Sequence, residues 1–124
     1  MIYLDTHVVI WLYEGTVEKL SATARNSIES NDVRISAAVV LELQYLHEIG
    51  RLKPIAAEVV NALATDIDLR VCDRPFYKIV NEALAENWGR DPFDRLIVAN
   101  AKEQRAMLVT KDERIRQNYL LSVW

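Results

Sequence analysis

The chain has 124 residues, 51% of them hydrophobic and 27% charged, which suits one globular domain with a real core and leaves no room for a second. A net charge of −3 and a pI near 5.4 exclude the strongly basic footprint of a protein that grips nucleic acid through phosphates alone, although 18 acids against 15 bases leave room for a local acidic cluster offset by cations. The lone Cys72 excludes an internal disulfide, and Asp5 and His7 inside the first apolar stretch make it neither a signal peptide nor a membrane span, so a soluble, cytoplasmic protein is expected.

In chain order, Ile2 to Asp5 reads as a strand followed by a helix, and Ser21 opens another. Val33 to Ser36 is a second strand, with Ser36 capping a helix that stops at Gly50. An extra helix, with Pro54 in its first turn, precedes a third strand at Leu69 to Cys72. Pro75 and Pro92 mark two further helix starts. Met107 to Thr110 is a fourth strand with a short helix after it, and Leu120 to Trp124 allows a short last strand. This rhythm predicts a single α/β domain over residues 1–124, a parallel sheet with helices on both faces. No repeat, low-complexity tract or charge block marks a linker.

In such a sheet, ligands bind in the crevice beyond the carboxyl ends of the strands. Asp5 ends the first strand, Glu42 lies in the helix after the second, Asp94 is in the first turn of the helix opened by Asp91-Pro92, and Asp112 follows the fourth strand. Helical spacing lines Glu42 up with Val39, Leu46 and Ile49, and Asp94 with Ile97, Val98 and Ala101, so both acids fall on stripes that face the core. A carboxylate there needs a cation, a hydrogen-bonding partner or a proton.

Each acid also has a structural reading. Asp91 before Pro92 is a natural helix cap, and Asp112 ahead of Glu113-Arg114-Ile115 is another. Asp94 suits the positive end of a helix dipole, and Glu42 could pair with a base. Four acids at strand-end positions, two on apolar stripes, favour a shared cation. Oxygen ligands select Mg²⁺ or Mn²⁺, whereas His7, His47 and Cys72 match no zinc spacing. His47 reads as a surface residue, and His7 as a first-turn helix residue that is structural more often than substrate-binding.

These residues carry a resemblance. The chain resembles the PIN-domain toxins of VapBC-type toxin–antitoxin systems over essentially its whole length, through Tyr3-Leu4-Asp5-Thr6-His7, Ile35-Ser36-Ala37 leading to Leu41-Glu42-Leu43, Arg90-Asp91-Pro92-Phe93-Asp94-Arg95-Leu96-Ile97-Val98-Ala99, and Leu108-Val109-Thr110-Lys111-Asp112. The resemblance implies a PIN-like doubly wound fold, Mg²⁺- or Mn²⁺-dependent endoribonuclease activity, a homodimer, and a cognate antitoxin. It implies a metal site of Asp5, Glu42, Asp94 and Asp112, supported by Thr6 and Thr110, with apolar surface including Trp11 or Tyr45 at the dimer contact. Two departures stand out. Leu41 replaces the tryptophan that relatives often carry, read as a packing difference, and Asp91 adds a fifth acid that competes with Asp94 for the metal.

Ions held by these carboxylates would orient a water and stabilise charge on the phosphate without a protein nucleophile. Arg95, Lys111, Arg34 and Arg90 are the candidate phosphate contacts. The rival readings are a phosphoacceptor receiver domain, with Lys111 as its late lysine, and a catalytically silent PIN-like module. The receiver reading needs an acidic pair after the first strand and an acceptor aspartate on a central one, and neither is present. Which RNA is cut, and at which bases, depends on loops and stacking surfaces that one sequence does not reveal.

Overall fold

The computed structural model describes residues 1–124. Five parallel strands, β1 (Ile2–Leu4), β2 (Val33–Ile35), β3 (Arg70–Val71), β4 (Met107–Val109) and β5 (Ser122–Val123), form one sheet in the order β3-β2-β1-β4-β5. The chain first winds one way from β1, then crosses back to place β4 on the other side. With right-handed crossovers, that reversal puts helices on both faces and a switch point between β1 and β4. The helices are α1 (Thr6–Glu14), α2 (Ala22–Glu29), α3 (Ala37–Glu48), α4 (Ala56–Ile67), α5 (Phe76–Ala83), α6 (Pro92–Glu103) and α7 (Glu113–Asn118), with a 3-10 turn at Val17–Lys19. No helix is long and apolar enough to cross a membrane.

Strand β1 is buried at all three positions because it has a neighbour on each side and helices above and below. Ile2, Leu4, Ile35, Leu108 and Val109 of the sheet join Val39 and Leu43 of α3, Val59 and Leu63 of α4, and Ile97 and Val98 of α6 in a single core. Gly50, with φ of 80°, lies just past α3, where a left-handed residue ends a helix without a Cβ penalty.

Some sequence expectations shift. Pro54 lies outside α4, whose first residue is Ala56. β3 is a two-residue edge strand with both residues exposed, and it is the flanking Leu69 and Cys72 that pack against the core. Ile49 leaves the Glu42 stripe, being 46% exposed past the end of α3, and Leu43 takes its place in the core. Leu41 is 63% exposed and borders an apolar surface groove between α3 and α4, so its departure from tryptophan is a surface difference and not an interior packing one. His47 is half-buried, with Nδ1 3.2 Å from the Leu52 carbonyl and 3.0 Å from that of Lys53.

A buried polar network holds the segment before α6. Glu86, 2% exposed, accepts hydrogen bonds from the Trp88 indole at 2.5 Å and from Lys102 Nζ at 2.7 Å. The Trp88 carbonyl in turn accepts from Arg114 at 2.8 Å, so the segment before α6 is tied to both α6 and α7. Removing one partner of a buried charge costs more than neutralising the charge itself. Lys102→Met is therefore expected to destabilise the fold by about 2 kcal/mol in urea melts, and Glu86→Gln, which keeps an acceptor oxygen, by about half of that. Equal losses for the two variants would count against this network.

Candidate metal and active site

The carboxyl ends of β1 and β4 and the starts of the helices that follow β1, β2 and β4 form one rim, joined there by the start of α6. A cleft of about 550 Å³ opens on it, lined by Asp5, His7, Glu42, Asp91, Asp94, Lys111, Asp112 and Glu113, with no hydrophobic residue. Helix starts carry free N–H groups, and the acids meet them. Asp5 caps α1 and accepts from the Thr6 N–H at 2.8 Å, Asp91 caps α6 through the Phe93 and Asp94 N–H groups at 2.8 and 3.2 Å, and Asp112 caps α7 through that of Ile115 at 3.0 Å. Capping and cleft-lining are thus compatible, because each cap uses only one carboxylate oxygen of an acid that also lines the cleft.

The two threonines hold specific acids. The Thr110 hydroxyl donates to Asp5 Oδ2 at 2.6 Å and accepts from the Asp112 N–H at 3.1 Å, joining the acids on either side of the switch point. The Thr6 hydroxyl donates to Glu42 in a short hydrogen bond. Asp94, half-buried in the first turn of α6, is the one acid of the expected four whose carboxyl makes no hydrogen bond. Its stripe-mates Ile97, Val98 and Ala101 are fully interior, as the spacing required.

Burial and mutual repulsion raise the proton affinity of the cluster. Burial pushes the Asp5 carboxyl up, against hydrogen bonds from Thr110 and the Thr6 N–H and the nearby His7. Burial likewise raises Glu42, opposed by Thr6 and reinforced by Asp5 and Asp91. Asp94 is raised to about 7, through burial and then through Asp91, Asp5, Asp112 and Glu42. The donor set is carboxylate oxygen, which fits hard divalent cations, and one histidine does not make a zinc site. No three groups converge tightly enough to be a ready-made ligand shell. Like charges without a counter-ion have no reason to close on one point.

The expected phosphate contacts divide. Lys111 lines the cleft; Arg90 is exposed and donates to the Asn87 carbonyl at 3.4 Å. Arg95 is turned away, because its guanidinium donates to the Ala83 carbonyl at 3.0 and 3.3 Å and locks α6 to α5. Arg34 faces a small pocket with Asp32, Asp68 and Arg70 at the amino ends of β2 and β3, the opposite rim. Neither is brought to the cleft. His7, read as more often structural, is exposed and lines it. Glu113, read only as a neighbour of a cap, also lines it; its place in the first turn after a strand end was the available signal.

The raised Asp94 value makes a stability prediction for the metal-free chain. Between the ordinary 3.8 and about 7 the folded state binds a proton that the unfolded state does not, so this group's contribution is full below the ordinary value and lost as pH rises through about 7. Urea melts in EDTA are expected to show stability falling across that window, with Asp5 and Glu42 adding the same sign. Asp94→Asn should flatten the fall and melt higher than the parent at about pH 8. An unaltered pH slope in Asp94→Asn would contradict the repulsion described here.

A family model of the PIN domain matches residues 2–120. Ribonuclease VapC22 from Mycobacterium tuberculosis is 32% identical over 120 residues, covering 94% of this chain and 91% of that protein. Among solved structures, a toxin–antitoxin complex from Klebsiella pneumoniae aligns with TM-score 0.69 at 18% identity, covering 100% of this chain and 97% of that one. VapBC-1 from nontypeable Haemophilus influenzae aligns with TM-score 0.61 at 20% identity, covering 94% of each chain. At such identities the structures speak for the fold alone, and they agree with the doubly wound sheet. The receiver reading fails here, since Glu42 sits within α3 and not at the end of a central strand. Matched by the family model over all but its ends and by a relative over nearly its full length, the chain belongs to the PIN-domain family.

Proposed function

We propose that residues 1–124 form a Mg²⁺- or Mn²⁺-dependent endoribonuclease, the toxin of a type II toxin–antitoxin pair, cutting RNA phosphodiester bonds at Asp5, Glu42, Asp94 and Asp112. The observation that carries the reading is the cleft itself: six carboxyl groups on one rim, with that of Asp94 raised to about 7 and free of hydrogen bonds. The relative's name, Ribonuclease VapC22, supports the chemistry, and the toxin–antitoxin complexes among the structural neighbours support an antitoxin partner.

When bound, the divalent cation supplies positive charge for the phosphate and lowers the pKa of a water, so the chain needs no nucleophile of its own. The residues prepare this. Thr110 and the Thr6 N–H fix both oxygens of Asp5, and Thr6 fixes Glu42, which keeps these carboxylates from rotating away. Asp94 provides the unengaged carboxylate, and Asp112, at the cap of α7 just after β4, lines the same cleft. Lys111 supplies the one fixed cation among the lining residues, suited to a phosphate oxygen. Asp91 keeps its capping role in this reading.

A homodimer in the cytoplasm completes the proposal. Of the two aromatics expected at its contact, Tyr45 is 50% exposed on α3 beside Phe93, while Trp11 packs within its own chain. Tyr45 is therefore the better candidate.

The deciding experiment compares two aspartates three residues apart on single-stranded RNA. Asp94→Asn is expected to abolish cleavage in Mn²⁺, as EDTA does for the parent. Asp91→Asn keeps a good capping side chain and should retain most of the rate, with stability changed by less than about 1 kcal/mol. Full cleavage by Asp94→Asn, or by the parent in EDTA, would overturn the four-acid site.

A further inference from the structure

A row of rings leads out of the cleft on its β5 side. His7 and Trp11 are four residues apart on α1 and so share a face, with ring centroids 6.0 Å apart and planes tilted by 48°. Trp124 follows β5, at the carboxyl end of the edge strand and hence on the same rim as Asp5 and Asp112; its ring lies 6.0 Å from that of Trp11. His7 lines the acidic cleft, and both tryptophans are partly exposed. Lys19 Nζ sits 5.9 Å from the Trp11 ring centroid. The other aromatic pair near the rim, Tyr45 and Phe93, includes no residue that lines the cleft.

The acidic lining gives RNA little to hold besides Lys111, since a cation can secure one phosphate but repelled carboxylates add no affinity for the flanking nucleotides. Flanking affinity must then come from an uncharged surface next to the cleft. Every base has a π-face, and an aromatic ledge beside lysines is the usual chemistry by which a protein holds single-stranded nucleic acid. We propose that His7, Trp11 and Trp124, with Lys19 beside Trp11 and Lys111 in the cleft, form a stacking ledge for a base of single-stranded RNA next to the bond that is cut. The proposal rests on the nuclease reading above. It assigns Trp124 as the ring that meets the base and Trp11 as the ring that backs it, with Lys19 facing the backbone phosphate.

The test uses a labelled single-stranded RNA oligonucleotide, both cleaved in Mn²⁺ and bound to the Asp94→Asn chain. Trp124→Ala is expected to raise KM by about tenfold, one lost base–aromatic stack, with kcat nearly unchanged because the stack is the same in ground and transition states. Trp124→Phe keeps a ring and should restore KM. Binding to Asp94→Asn should weaken by the same factor when Trp124→Ala is added, and this readout needs no cleavage, so it separates failure of the ledge from failure of the nuclease reading. An abasic residue scanned along the oligonucleotide should reproduce the loss at one position, with no further loss there on Trp124→Ala. Trp124→Leu, which keeps an apolar side chain beside Trp11 but no ring, runs the same cycle if Trp124→Ala does not fold. Unchanged KM and binding in Trp124→Ala, or abasic and Trp124→Ala losses that simply add, would overturn the proposal.

Discussion

Carboxylates crowded at the switch point of a parallel sheet are the constraint from which the rest of this molecule follows. β1 and β4 pair directly, so the residues after them, Asp5 and Thr110-Lys111-Asp112, are neighbours by topology. The helices that start on that rim bring Glu42, Asp91 and Asp94 to the same place. Three of these acids are made tolerable by free N–H groups of helix starts and two by threonine hydroxyls. Asp94 has neither, and burial together with its acidic neighbours raises its proton affinity to about 7.

Local stability and function pull in opposite directions there. A core-facing carboxylate without a partner is costly, and neighbours of the same sign increase the cost. The remainder of the fold is built to hold the arrangement regardless. The Glu86–Trp88–Lys102 network and the Arg114 bond to the Trp88 carbonyl tie the segment before α6 to α6 and α7, the two helices that carry Asp94 and cap with Asp112. Arg95 serves the same end by fastening α6 to α5, which is why it is unavailable to a ligand.

Much of this was legible in the sequence because strand ends and caps are local signals. The β-branched runs gave four strands, with the short fifth left open, and Ser21, Ser36 and Asp91 cap the helices that the sequence assigned to them. Apolar periodicity placed Asp94 against Ile97 and Val98. The same periodicity overreached at Ile49, because a helix that ends one residue earlier no longer carries its stripe inward. What was not legible is where long side chains go. Arg34, Arg95 and Lys111 are all long basic side chains, and only the fold shows that one points at the opposite rim, one bonds a carbonyl and one lines the cleft. Rings distant in sequence, such as Trp11 and Trp124, meet only through the pairing of β1 with β4 and of β4 with β5.

In the proposed function the crowded acids are a place for a divalent cation. This is tested most directly by anomalous diffraction from a crystal of the chain equilibrated with Mn²⁺. Anomalous density is expected inside the cleft, within bonding distance of carboxylate oxygens of Asp5 and Asp94, and absent in crystals of Asp94→Asn. Density only outside the cleft, or an empty cleft at Mn²⁺ concentrations that support RNA cleavage, would contradict it.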